Sequence, residues 1–181
     1  MSDAPTDLDY ALLRRLARGD HEALAELIRR HQRRVFNIAY RLLQDPLEAE
    51  DAAQEVFLKV YQHAERYEPK ASVSAWLSRI TANHCLNVLR QRRPLESLDQ
   101  EAAPELPDPG ASPLELLEQQ DLGQRLAGLL AALPENQRRA LVLKQFADLS
   151  YQEIGEILKI SPQAVDCLIK RARQTLKKAL K

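Results

Sequence analysis

From Ser161 onward the sequence sets Gln163, Asp166, Cys167, Lys170, Arg171, Arg173, Gln174 and Lys177 around apolar Val165 and Ile169. On a helix, polar groups at this spacing can reach base edges while their basic neighbours neutralise phosphates. A second set lies upstream. Trp76, Ile80, Asn83, Asn87 and Arg90 recur at steps of four, three, four and three, so they project from one helical stripe. An aromatic, two carboxamides and a base on one face suit an unpaired base: stacking, edge hydrogen bonds and a grip on the backbone. The same stripe also fits a plain core helix with Trp76 and Ile80 inward and the asparagines in solvent. Other chemistry finds little support. Ser, His and Asp form no nucleophilic arrangement, His21, His31, His63 and His84 are scattered, and no glycine-rich loop occurs. Cys85 and Cys167 stand far apart without companion ligands, so neither a zinc site nor a disulfide framework is expected. The chain therefore reads as a non-enzyme with no metal, no other cofactor and no small-molecule substrate.

The elements that must position these residues are helical. Glycine is scarce, with 5 residues in 181, and Leu, Ala, Glu, Gln and Arg recur in long runs. The formal net charge of zero hides segregation. No acid occurs from Pro69 to Leu95, which carries Lys70, Arg79, Arg90, Arg92 and Arg93. No base occurs from Pro94 to Gln124, which carries eight acids. From Lys159 to the end, seven Lys or Arg stand against Asp166 alone. Two polyanion-facing surfaces with a spacer between them follow from this layout. No apolar run approaches the roughly 20 residues of a membrane span, and Met1–Asp9 is too acidic and polar for a signal peptide. A reduced, cytoplasmic setting is expected.

Apolar periodicity and capping residues give the helices. A short one is expected over Tyr10–Ala17, stopped by Gly19. Asp20 caps a long helix carrying Leu24, Leu27, Ile28, Val35, Ile38, Leu42 and Leu43. Asp45-Pro46-Leu47-Glu48 is a compact start: Asp45 caps, Pro46 takes the first turn, and Glu48 is placed to close a capping box. That helix runs to about Ala64 with Ala49, Ala52, Ala53, Val56, Phe57 and Val60 inward. The next spans about Val73 to Arg92, ended by Pro94. The segment Leu95–Pro113 is acidic, proline-rich and aperiodic, and reads as a semi-extended linker.

The chain thus divides into a helical domain over 1–93, a linker over 94–113 and a second helical domain over 114–181. The second is expected to hold helices at Leu114–Leu133, Glu135–Ala147, Tyr151–Leu158 and Pro162–Leu180. Ser150 opens a capping box with Glu153, and Ser161-Pro162 is a second cap-then-proline start. The turn between the last two helices is short enough for a helix-turn-helix, with Ile154, Ile157, Leu158, Ile160, Val165 and Ile169 as its core and Gly155 at a close approach. A simple helical hairpin with a basic end remains an alternative from these residues alone.

Taken in order, these pieces resemble the extracytoplasmic-function group of bacterial sigma factors, over nearly the whole chain. Gly19–Leu24 through Tyr40–Leu43 is similar to the start of their region 2, and Asp45–Phe57 to the helix that docks on the β′ clamp helices of RNA polymerase. The resemblance implies polymerase contacts at Glu48, Asp51, Gln54, Glu55 and Leu58. Ser74–Asn83 resembles the part of region 2 that opens and reads the −10 element. This implies −10 contacts at Lys70, Trp76, Arg79, Asn83, Asn87, Arg90, Arg92 and Arg93, with Trp76 packing beneath the site rather than stacking in it. Leu133–Leu141 and Leu149–Gly155 look like region 4, the −35 reader, which also touches the β flap. The implied −35 contacts are Gln163, Asp166, Cys167, Lys170, Arg171, Arg173, Gln174 and Lys177. Many relatives carry a base where Asp166 stands here, which leaves the −35 sequence open. Core polymerase, promoter DNA and an anti-sigma protein, often membrane-bound, are the implied partners. A free-standing helix-turn-helix regulator, or a helical adaptor that binds only protein, are the alternatives to be separated from this reading.

Overall fold

A computed structural model describes residues 7–69, 71–92 and 125–179, and no strand occurs among the described residues. The first group holds α1 (Asp7–Leu16), α2 (His21–Leu43), α3 (Pro46–His63), a single 3-10 turn at Ala64–Arg66, and α4 (Val73–Arg92). The second holds α5, described over 125–131, then α6 (Glu135–Gln145), α7 (Tyr151–Leu158) and α8 (Pro162–Ala179). The all-helical class expected from the sequence is observed. The expected linker at 94–113, and residues 114–124 of the helix placed at Leu114–Leu133, lie outside the described residues.

The longest element, α2, organises the first domain. The Asp20 carboxylate accepts from the backbone N–H groups of Glu22 and Ala23, satisfying donors that a helix start leaves unpaired. Gln44 ends the helix in the left-handed region at φ 59°, its N–H returning to the Tyr40 carbonyl. Between these caps Ala23, Leu27, His31, Val35, Ile38, Ala39 and Leu42 are buried along one stripe, against which α1, α3 and α4 pack. Helix α1 starts at Asp7, earlier than the expected Tyr10, and the early turn has a use. Buried Asp9 accepts from Arg30 Nε at 2.7 Å and lies 3.0 Å from His31 Nε2, tying α1 to α2.

Helix α3 opens as expected on Asp45, whose carboxylate accepts from Glu48 N–H at 2.9 Å, with Pro46 in the first turn. The expected capping box does not close. The Glu48 side chain is drawn away to an ion pair with Arg92 at the far end of α4. Opposite charge on a neighbouring helix competes with the backbone N–H of Asp45, and the guanidinium wins.

The second domain is a helix-turn-helix on a short helical support. Ser150 and Glu153 form the reciprocal capping box that starts α7. Lys159 ends α7 in the left-handed region at φ 58°, and the Ser161 hydroxyl accepts from Ala164 N–H at 3.2 Å to start α8. Ile154, Ile157, Val165 and Ile169 are buried as expected, with Leu158 and Ile160 partly so. Gly155 earns its place sterically: a Cβ there would stand 2.7 Å from the Ile160 carbonyl oxygen.

The two domains pack directly on each other. Helix α6 lies against α2, and one apolar cluster runs from Ile38, Leu42, Leu86 and Leu89 to Leu141, Leu143, Ile157 and Ile169. Over this seam the Arg41 guanidinium sits 4.1 Å from the centre of the Phe146 ring.

The close approach at Gly155 predicts that Gly155→Ala forces the α7–α8 turn outward and destabilises this domain by about 1–3 kcal/mol, in the range of overpacked sites. Denaturant unfolding checks it. A variant as stable as the parent contradicts the packing described.

Candidate nucleic-acid interface

Helices α3 and α4 diverge beyond the 3-10 turn and leave a cavity of about 310 Å³ between them. The α4 wall is the stripe read from the sequence: Trp76, Ile80, Asn83 and Asn87, with His84 beside them. The α3 wall and its following turn add Lys59, His63 and Arg66, which the sequence reading missed. Their signal was present, because residues 59, 63 and 66 step by four and three on one helical face. Tyr67 packs edge-on against Trp76, with ring centres 5.3 Å apart, and its hydroxyl donates to the Ala71 carbonyl. Trp76 is therefore half-buried under an aromatic neighbour and forms the floor of the cavity.

The electrostatics of this pocket are cationic but partly discharged. Lys59 Nζ lies 2.8 Å from His84 Nδ1 and donates to it, which requires the neutral imidazole. Burial, and then the Lys59 charge, hold the His84 pKa below its usual 6.5, against a smaller opposing pull from Glu55. His63 Nδ1 is buried and has no hydrogen-bond partner. A buried ring nitrogen without a partner, beside two exposed carboxamides, offers hydrogen bonding to a guest that brings its own donors and acceptors.

The other residues assigned to −10 contact are placed differently. Arg79 is exposed at the surface of α4 and pairs with Glu156 of α7 at 3.0 Å. Arg90 donates to Asn87 at 3.0 Å and reaches the Ile157 carbonyl at 3.4 Å. Arg92, expected on phosphate, is bound to Glu48 and lies 3.4 Å from the Leu43 carbonyl. Lys70 and Arg93 lie outside the described residues.

On α8 the expected reading face is exposed: Gln163, Cys167, Lys170, Arg171, Arg173, Gln174 and Lys177 all face solvent. Asp166 is partly covered and binds Lys170 one turn on, at 2.8 Å. The hydrogen bond to Asp166, with its charge, raises the Lys170 pKa. Cys85 differs from Cys167 in kind, since burial pushes its thiol up to about 12.

The outer face of α3 bears a third set. Asp51, Gln54, Glu55 and Leu58 are exposed on it, joined by two apolar residues the sequence reading did not include. Leu47 is 71% exposed and Tyr61 43%, beside Leu58 at 47%. Four acidic or amide side chains flanked by three exposed apolar ones describe a protein-docking surface better than a solvated helix face. Glu48 stands apart from this set, turned toward Arg92. No helix of the described chain is long and apolar enough to cross a membrane.

Comparison with known proteins gives this arrangement its family. Residues 27–94 match the model of Sigma-70 region 2, and residues 123–176 match that of Sigma-70, region 4. The chain is 30% identical over 177 residues to the ECF RNA polymerase sigma factor SigW of Bacillus subtilis, spanning 93% of this chain and 95% of that one. It is 32% identical to the RNA polymerase sigma-H factor of Pseudomonas aeruginosa, over 95% and 93% of the two chains. This chain belongs to the extracytoplasmic-function sigma factors. The sigma factor RpoE of Bartonella quintana, solved in complex with the anti-sigma factor NepR, shares the fold: the TM-score is 0.65 at 21% identity, covering 86% of this chain and 95% of that one. As a sigma factor the protein directs RNA polymerase to promoters and is not itself an enzyme. Membership removes both alternatives, the free-standing regulator and the protein-only adaptor. The region 2 match contains α2 to α4, and with them the cavity and the outer face of α3. The region 4 match contains α6, α7 and most of α8.

The Lys59–His84 contact has a pH consequence. A His with a depressed folded pKa contributes stability that is complete above about pH 6.5 and lost as the pH falls through the folded value, because the unfolded chain then binds the additional proton. Lys59→Met removes the repulsion, so the His84 midpoint moves up and the acid loss of stability shrinks. Titration of the ring protons by NMR checks this, and an unmoved midpoint contradicts the pairing.

Proposed function

We propose that the α3–α4 cavity takes one unpaired base of the −10 element while α8 reads the −35 element in the major groove. The observation that carries this reading is the coincidence of the Trp76–Asn87 stripe with the wall of a base-sized cavity ringed by Lys59, His63 and Arg66. At about 310 Å³ it is at the small end of ligand pockets, which begin near ~300 Å³. Asn83 and Asn87 supply donors and acceptors for a base edge, Trp76 supplies the apolar floor, and Arg79 and Arg90 supply charge for phosphates. Capturing a base that would otherwise stack in the duplex contributes roughly 1–3 kcal/mol, which helps drive melting without chemistry by the sigma factor. Arg92, held by Glu48, positions the end of α4 rather than touching DNA.

The division of labour follows the three domains proposed above, 1–93, 94–113 and 114–181. The outer face of α3 docks on the β′ clamp helices through Asp51, Gln54, Glu55 and Leu58, joined by Leu47 and Tyr61. The second domain meets the β flap and presents Gln163, Cys167, Lys170 and Arg171 to bases, with Arg173, Gln174 and Lys177 near phosphates. The working compartment is the cytoplasm, and the regulator is an anti-sigma protein, which could hold the chain at the inner face of the membrane. Support for that regulator comes from the family resemblance and from relatives such as the Bartonella factor, solved with its inhibitor.

Two outcomes follow. Leu58→Glu, on an exposed position, should leave the thermal transition unchanged and abolish co-elution with bacterial core polymerase; retained co-elution argues against α3 as the docking face. Asp166→Ala frees Lys170 and removes the one acceptor near the start of the recognition helix. It should change the preferred −35 bases more than the overall affinity, read by selection from a randomised −35 library with the polymerase holoenzyme. A uniform loss across all sequences rejects a base-reading role.

A further inference from the structure

The proposed reading of α4 leaves one observation unused: its two free arginines are occupied by the other domain. Arg79 Nη2 binds Glu156 Oε2 at 3.0 Å, and Arg90 Nη2 reaches the Ile157 carbonyl at 3.4 Å. Both partners sit on α7, the first helix of the helix-turn-helix. Beside them Arg41 lies against Phe146, and the apolar cluster runs unbroken through the seam. The carboxylate of Glu156 thus stands where a phosphate oxygen would bind, and the rim of the second domain covers the approach to the α4 face.

We infer that in the free chain the second domain is an internal cap on the −10-reading face of the first, with Glu156 as the phosphate mimic, and that this contact must open for promoter reading. The inference rests on the assignment of α4 to −10 contact. Three features of the seam support it. The cap is selective: the outer face of α3 and the reading face of α8 both stay exposed, so polymerase docking does not require prior opening. The two readers cannot serve separate promoter elements in this state, because an ion-pair distance separates α4 from the helix-turn-helix. The seam is also built to give way. The Arg79–Glu156 pair is solvent-exposed and screened by salt. Arg41 is largely desolvated, burial lowers its pKa, and its Nε has no partner, so separation returns water to a group that the closed state leaves poorly satisfied.

Pulsed electron spin distance measurement on the full chain tests this, with one label on the exposed native Cys167 and one on Gln62→Cys; buried Cys85 is not labelled. The free protein should give a single short distance. Glu156→Lys, which faces Arg79 with a like charge, should move most molecules to a longer and broader distribution, and adding Arg79→Glu to that variant should restore the short one. Bound core polymerase should lengthen the distance in the parent chain. A free chain already as broad as the Glu156→Lys variant overturns the cap, and so does a short distance that persists on the polymerase. Failure of the chain to bind polymerase would instead strike the proposed function, leaving the comparison of parent, reversed and swapped variants to decide the cap by itself.

Discussion

The apolar stripe of α2 is the constraint on which the rest of this molecule depends. A 23-residue helix capped at both ends offers one long face, and every neighbouring element finds its position by covering a part of it. Leu12, Leu13 and Leu16 of α1 close the N-terminal end with Leu27, while Ile38 and Leu42 join Ala49 and Ala52 of α3 and Ala82 and Leu86 of α4. Burying each leucine-sized side chain contributes about 1.5–3 kcal/mol, far more than the exposed ion pairs around it, at roughly 0–1 kcal/mol each. The geometry of the interface is thus set by apolar packing, and the charged residues are carried to where that packing leaves them.

This hierarchy explains why function lies on the outward surfaces of α3 and α4. Both helices spend their inner faces on α2, so α3 is left with Asp51, Gln54 and Leu58 outside, and α4 with Arg79, Asn83, Asn87 and Arg90. Where the two helices diverge, their outer faces meet across the cavity, and two elements that never share a sequence motif come to share a site. The last turn of α2 gives the second domain its seat through α6, so the same helix that builds the −10 reader also holds the −35 reader against it.

The sequence made the helices legible because their ends are local. Asp20, Asp45, Ser150 and Ser161 each cap a helix through contacts no more than three residues away, and those boundaries were readable from residue types alone. The Trp76–Asn87 stripe was readable for the same reason, being a property of one helix. What was illegible is pairwise and distant. Glu48 leaves its own helix start for Arg92, Lys59 pairs with His84 across two helices, and Glu156 holds Arg79 across two domains. Periodicity marks Leu141, Leu143 and Ile157 as buried, but not whether their own domain or the other one covers them.

The central claim, that this chain supplies promoter choice to a polymerase lacking it, is tested most directly by run-off transcription. Core polymerase would be incubated with and without the protein on fragments of its own genome, and the 5′ ends mapped. The account predicts discrete new start sites that share two upstream motifs and appear only when the protein is present. Core polymerase that stays inert on every fragment, although the protein is bound to it, would contradict the account.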